Sequence, residues 1–166
     1  MAANGEQLAA LARITGLLTE AGIKHWLFGG WAVDFYLGEI TRPHDDLDLA
    51  IWREELAGIA RVLGEDDWRH APDDDEDGGT AFERGDVRLD LTFLVRAPSG
   101  GVFTPLRSGP AFWAEDAFGT DVAELCGVRV PVIPFVTLKG MKSFARPEAA
   151  DAAKDRIDLA RLARLG

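Results

Sequence analysis

The stretch GGWAVDFYLGEITRPHDDLDLAI, Gly29 to Ile51, decides how this chain is read. It sets Asp45, Asp46 and Asp48 almost side by side in front of an apolar run. Like charges at that spacing repel unless water or a cation intervenes. The segment DLDLAIW, 46–52, alternates strictly: Leu47, Leu49 and Ile51 share one face, and Asp46, Asp48 and Ala50 the other. Such a period predicts a strand with two carboxylates pointing the same way. Asp45 reads as a turn cap or a solvent-facing residue. A second alternating run, GDVRLDLTFLV at 85–95, predicts another strand, with Arg88, Asp90 and Thr92 on its polar face. If the two strands are neighbours, three carboxylates converge and raise one another's pKa values. A divalent cation relieves that repulsion. Mg²⁺ takes oxygen ligands, commonly one or two carboxylates plus substrate phosphates. Two such ions roughly 3.5–4 Å apart can clamp the attacking and leaving oxygens of an in-line phosphoryl transfer. The plain alternative is that acids on half-exposed strands face solvent.

Upstream, HWLF at 25–28 predicts a strand, and WAVDFYLG a short helix opened by Gly29-Gly30 and closed by Gly38. A glycine pair between strand and helix lets the backbone approach phosphate oxygens at a helix N-terminus; it can equally be a tight turn. EITRPHD, 39–45, predicts a loop, with Pro43 biasing Arg42 away from helical angles.

The rest of the chain supplies a frame for these strands. Residues 5–21 predict an amphipathic helix through Leu8, Leu11, Ile14 and Leu18, and residues 53–63 a second through Leu56, Ile59, Ala60 and Leu63. PDDDEDGG, 72–79, reads as a solvated loop, because it lacks the spaced acids around a central glycine of a calcium loop. The Gly- and Pro-rich 97–110 also reads as a loop. VAEL, a Cys126-Gly127 turn and VRVPVI predict a hairpin, with Pro131 marking an edge strand. Helices are expected over 136–145 and 148–164. The fold class is therefore α+β, a mixed sheet flanked by helices. The expected organisation is one domain over 1–166, with a core at 5–96 and a hairpin and C-terminal helices at 119–165.

The bulk numbers exclude several function classes. The chain has 166 residues, 47% of them apolar, which argues against disorder. Its single cysteine, Cys126, rules out an internal disulfide. The N-terminus lacks signal-peptide features and no run reaches the ~18 apolar residues of a membrane helix, so a cytoplasmic protein without a membrane partner is expected. The formal charge of −10 disfavours DNA and RNA and favours cationic small molecules.

The ordered series strand, Gly-Gly, helix, loop and D-x-D strand resembles the signature of small antibiotic nucleotidyltransferases. These are the lincosamide nucleotidyltransferases and the aminoglycoside 2''-adenylyltransferase type, within the polymerase-beta-like superfamily. The residues that carry the resemblance are GGWAVD at 29–34, TRPH at 41–44 and DDLDL at 45–49. RLDLTF at 88–93, GVRVPVIPFVTLKGMKSF at 127–144 and KDRIDLARL at 154–162 extend it. Residues 66–85 and 97–118 offer no clear match. The resemblance implies a polymerase-beta-like fold and roles for matched residues. Asp46 and Asp48 would hold metal ions, two Mg²⁺ by family habit. Asp90 would be the third ligand or the general base. Gly29, Gly30 and Trp31 would cradle the triphosphate, and Arg42 and Lys142 would neutralise its charge. His44 could touch phosphate, orient an aspartate or pack. Asp34 has no assigned role, and Lys154, Asp155 and Asp158 read as helix-surface pairs at three- and four-residue spacing.

The implied reaction moves a nucleoside monophosphate, AMP by resemblance, from a nucleoside triphosphate to a hydroxyl of a small cationic acceptor, an aminoglycoside or a lincosamide. Trp68, Trp113, Phe103 and Phe112 could stack on such a molecule or fill the core. Small relatives often complete the acceptor pocket as a homodimer. The rival readings are a toxin-type nucleotidyltransferase acting on tRNA or protein, and a non-catalytic nucleotide-binding module.

Overall fold

The computed structural model describes residues 2–71, 77–144 and 146–166. The acidic run at 72–76, most of the expected solvated loop, lies outside them. Helix α1 (Asn4–Glu20) buries Leu8, Leu11, Ile14 and Leu18, the stripe read from the sequence. Strand β1 (His25–Phe28) runs into helix α2 (Gly29–Leu37), which ends at Gly38 in the left-handed conformation. After the loop come β2 (Leu47–Trp52), a 3₁₀ turn at Arg53–Glu55 and α3 (Leu56–Glu65).

Strands β3 (Arg69–His70), β4 (Gly79–Arg84) and β5 (Val87–Arg96) follow. The segment 97–110, expected as a loop, instead forms most of a hairpin, β6 (Val102–Leu106) and β7 (Gly109–Phe112). Its prolines hid the strand period, and they are tolerated because Pro105 and Pro110 face each other in the register. Gly109, which opens β7 just after the turn at 107–108, has φ 122°, a value glycine adopts readily. A separate two-stranded sheet, β8 (Val122–Leu125) and β9 (Val128–Pro131), turns at Cys126 and Gly127. Both have positive φ, 50° and 78°, the pattern of a type I′ hairpin. Helices α4 (Phe135–Lys142) and α5 (Ala149–Leu162) close the described chain.

The main sheet runs β1-β2-β5-β4-β3, with β6 and β7 attached to β5. It is mixed: β2 and β5 are parallel, while β1 pairs with β2 and β4 with β5 antiparallel. Leu47, Leu49, Ile51 and Leu89 are fully buried, each contributing roughly 1.5–3 kcal/mol of apolar burial. The opposite face of the central strands carries the aspartates. Among the described residues no helix is long and apolar enough to cross a membrane.

Candidate active site

Adjacent parallel strands put directly registered side chains on one face of the sheet, and the register pairs Asp48 of β2 with Asp90 of β5. Asp46 stands just before β2. Carboxylate oxygens of Asp46, Asp48 and Asp90 all lie within 4.8 Å of one another, and each residue is partly exposed. This crowding is costly for bare acids. Burial, then the charges of Asp48 and Asp90, push Asp46 up to about 8. Burial, then Asp90, push Asp48 up to about 7, against the pull of Lys142, Arg146 and Arg42. A hard divalent cation fits this donor set: it would supply positive charge where the three described carboxylates converge, Asp90 alone among them being already paired, with Arg88 at 2.9 Å.

Gly29 and Gly30 make room for the cluster. Gly29 has φ 70°, and a Cβ there would collide with Asp48 Oδ2. A Cβ on Gly30 would collide with the Arg42 guanidinium and lie 2.8 Å from His44 Nδ1. The absent side chains thus let three charged or polar groups crowd the start of α2.

The loop between α2 and β2 is fixed from beneath by a buried polar network. His44 Nε2 lies 2.6 Å from Asp34 Oδ2, and Asp34 also accepts from the Thr41 hydroxyl at 2.5 Å and the Thr41 N–H at 3.1 Å. Asp34 is fully buried and His44 is 2% exposed. Trp31 stacks on the His44 ring with centroids 4.4 Å apart and donates to Gln7 Oε1 at 2.8 Å. Gln7 in turn donates to the His44 carbonyl at 2.6 Å. Trp31 is 1% exposed, so its indole braces the loop from the core and is not brought to the cleft with the two glycines. Asp34, given no role from the sequence, is the anchor of this network.

On the other wall, α5 holds a row of cations. Asp158 accepts from Arg42 Nε at 3.2 Å and Nη2 at 3.0 Å, and pairs with Lys142 Nζ at 3.0 Å. Asp155 accepts from Lys142 Nζ at 2.9 Å and from Arg146 Nε at 2.6 Å. The expectation of helix-surface pairs is therefore corrected for Asp155 and Asp158. They are 3% and 0% exposed, because they point inward to bridge α4 and the Arg42 loop. Burial, the largest influence, opposes their charge, yet hydrogen bonds from the basic partners hold both below the ordinary carboxylate value. Lys154 does stay outside, pairing with the exposed Asp45 at 2.7 Å. Arg146 went unremarked in the sequence; its signal was a basic residue one turn past Lys142.

A cavity of about 180 Å³ joins these parts, bounded by Gly29, Gly30, Asp48, Arg42, Lys142 and Arg146. A second, about 200 Å³, continues past Asp48 between Phe28, Leu138 and Met141. A third, about 350 Å³, opens beside Asp90 and is lined by Arg88, Thr80, Thr92 and Thr104. Of the aromatic candidates, Trp68 is core, 4% exposed. Trp113 is part-buried and donates to Thr104 Oγ1 at 2.9 Å. Phe112, 60% exposed, leans on Phe103.

Comparison with known proteins matches this arrangement to a described group. The family model for aminoglycoside-2''-adenylyltransferase matches residues 10–162. A 2''-aminoglycoside nucleotidyltransferase of Escherichia coli is 31% identical over 121 residues, 71% of this chain and 55% of the relative. One from Klebsiella pneumoniae gives the same figures. The chain thus spans about half the length of the curated relatives it matches. Among solved structures, a lincomycin-bound lincosamide antibiotic adenylyltransferase, LnuA, superposes with a TM-score of 0.73 at 17% identity, covering 94% of this chain and 96% of that one. ANT(2")-Ia in complex with adenylyl-2"-tobramycin gives 0.72 at 21% identity, covering 97% and 90%. These likenesses establish a nucleotidyltransferase fold, and with the family match they show that the chain belongs to the aminoglycoside-2''-adenylyltransferase family.

Proposed function

We propose that the protein transfers a nucleoside monophosphate, AMP in the first instance, from a nucleoside triphosphate to a hydroxyl of a small cationic acceptor such as an aminoglycoside or a lincosamide, releasing pyrophosphate. The observation that carries this reading is the pairing of Asp48 with Asp90 across parallel strands, with Asp46 alongside. Asp46 and Asp48 would hold Mg²⁺, with Asp90 as third ligand or general base. Bound there, the ion would supply charge to the phosphate oxygens and to the oxygens made and broken at phosphorus.

The chain's own groups account for the rest. The start of α2 offers backbone N–H groups and the positive end of the helix to phosphate, and Gly29 and Gly30 keep the approach open. Arg42, Lys142 and Arg146 face the same cavity, where they would meet the β- and γ-phosphates. Asp155 and Asp158 act as positioning residues: they hold these cations in place, so that little reorganisation is needed when the triphosphate arrives. Phe28, Leu138 and Met141 offer an apolar slot for the nucleoside. Asp90 would accept the proton of the acceptor hydroxyl. The freed oxygen attacks the α-phosphorus, the bond to the bridging oxygen breaks, and pyrophosphate leaves with its charge against the basic wall. No covalent enzyme intermediate is required, since positioning and charge stabilisation suffice.

The net charge of −10 supports a cationic acceptor. Incubation with magnesium, ATP and either tobramycin or lincomycin tests the reading. A product heavier than the drug by one AMP, together with pyrophosphate, is the expected result; ATP left intact with both drugs, tRNA and protein acceptors alike would contradict it.

A further inference from the structure

One cavity opens beside Asp48 and another beside Asp90, and a single side chain touches a wall of each. Phe28, the register partner of Asp48, lines the slot of about 200 Å³. Thr104 of β6 lines the cavity of about 350 Å³ that Asp90 borders. Trp113, just past β7, is set against both. Its ring meets Phe28 edge-on, with centroids 6.0 Å apart, and its Nε1 donates to Thr104 Oγ1 at 2.9 Å. Its backbone N–H donates to the Val102 carbonyl at 2.9 Å, and the Phe118 ring packs on it with centroids 5.0 Å apart. The indole is therefore held by contacts on several sides. Thr104 is fixed as well: it is 5% exposed, and a Cβ on Gly78 would lie 2.7 Å from its methyl. Its methyl lies at Gly78 and its hydroxyl at the indole N–H, so one χ1 rotamer serves both contacts.

We propose, resting on the transfer reading above, that Trp113 is a positioning residue for the acceptor: by holding the Thr104 oxygen it aims the Thr104 hydroxyl proton at a sugar oxygen of an aminoglycoside beside Asp90. A threonine hydroxyl has one proton to give and two lone pairs to offer. An indole N–H only donates, so it occupies a lone pair and leaves the proton for another partner. A sugar oxygen, which accepts, suits that proton; an ammonium, which only donates, does not. Thr104 would thus grip the sugar ring through oxygen, while the acidic surface draws the amines. The same indole braces Phe28, so the acceptor wall and the nucleoside slot keep a fixed separation. In-line attack on the α-phosphorus depends on such a separation. The two tasks divide within one side chain: the N–H serves the acceptor, and the ring serves the slot.

Calorimetric titration of tobramycin, and separately of a non-hydrolysable ATP analogue, into the wild type, Trp113→Phe, Thr104→Val and the double variant tests this. Magnesium is present throughout. Phenylalanine keeps a ring against Phe28 and drops the N–H; valine keeps the shape of threonine and drops the hydroxyl. Each variant is expected to bind tobramycin about tenfold more weakly, the scale of one hydrogen bond, with the analogue's affinity within about twofold of the wild type. The double variant should lose no more than either single one, because both substitutions remove the same contact. Tobramycin affinity unchanged in Trp113→Phe or Thr104→Val, or an equal loss for the analogue, overturns the proposal, as does a wild type that binds no tobramycin. Transfer of AMP, measured on the same proteins, is judged separately: the expected affinities with no AMP transferred by the wild type overturn the transfer reading and leave the Trp113–Thr104 contact as a binding device.

Discussion

Asp48 and Asp90 are register partners across the parallel strands β2 and β5, with Asp46 within reach of both. If these groups serve chemistry, removing one should cost activity without costing the fold. Asp48→Asn is expected to lower AMP transfer on the order of a thousandfold, the scale of deleting one preorganised electrostatic group. Metal-free thermal stability should hold or rise, because one member of a repelling set is gone. Turnover near the wild-type rate would count heavily against the assigned role.

The same crowding predicts a pH dependence for the metal-free protein. Asp46 and Asp48 are held above the ordinary carboxylate value, at about 8 and about 7. A raised group binds its proton more tightly in the folded than in the unfolded chain. Its contribution to stability is full below the ordinary value, near 4, and is lost as pH climbs through the folded value. Tm without divalent ions should therefore fall progressively from about pH 4 to about pH 8 and level off above that. Added Mg²⁺ should recover more at the alkaline end than at pH 6. Melting curves with EDTA and with magnesium check this; a magnesium effect that is absent, or equal at both ends, would tell against the three-acid site.

Gly29 combines a left-handed backbone with a site where a Cβ meets Asp48. Gly29→Ala should cost about 1–3 kcal/mol from the backbone alone. It should also weaken magnesium-dependent ATP binding, because Asp48 must move. Chemical denaturation and ATP titration read the two effects separately. A variant as stable as the wild type, with the same ATP affinity, would show that the close approach has no consequence.

The two ion-pair systems on α5 should behave differently. Asp158 is buried and bridges Arg42 and Lys142. Asp158→Ala leaves two cations short of a partner and should destabilise by about 3–5 kcal/mol, with a higher KM for ATP. The Lys154–Asp45 pair is 41% and 60% exposed, so Lys154→Ala should change stability by less than about 1 kcal/mol. Urea unfolding of the two variants compares them directly; similar losses would contradict the division into buried lattice and exposed pair.

How far the sequence reached follows from how local each signal was. The alternation of Leu47, Asp48 and Leu49, and of Leu89, Asp90 and Leu91, lies within each strand, so the carboxylate faces were legible. That the strands are neighbours was a geometric supposition, and the register bears it out. Strand β4 was not read, since Gly79 and the unmatched residues before it give no period. Gly79 is there because a Cβ would collide with the Leu91 backbone. The hairpin β6–β7 was masked by prolines. Asp155 and Asp158 looked like surface charges because their partners, Arg42, Lys142 and Arg146, come from elsewhere in the chain. Spacing on one helix cannot show which of its acids turn inward to meet another element. Asp34 was passed over for the same reason: its role is set by Thr41 and His44 across a turn.

The central claim is that Asp46, Asp48 and Asp90 form one divalent-cation site. Manganese titration followed by electron paramagnetic resonance, with ATP present, measures this most directly, using the wild type, Asp48→Asn and Asp90→Asn. The account predicts manganese bound with the nucleotide by the wild type and at least tenfold weaker binding in Asp48→Asn, each decade being about 1.4 kcal/mol. Manganese affinity equal in all three proteins would contradict it.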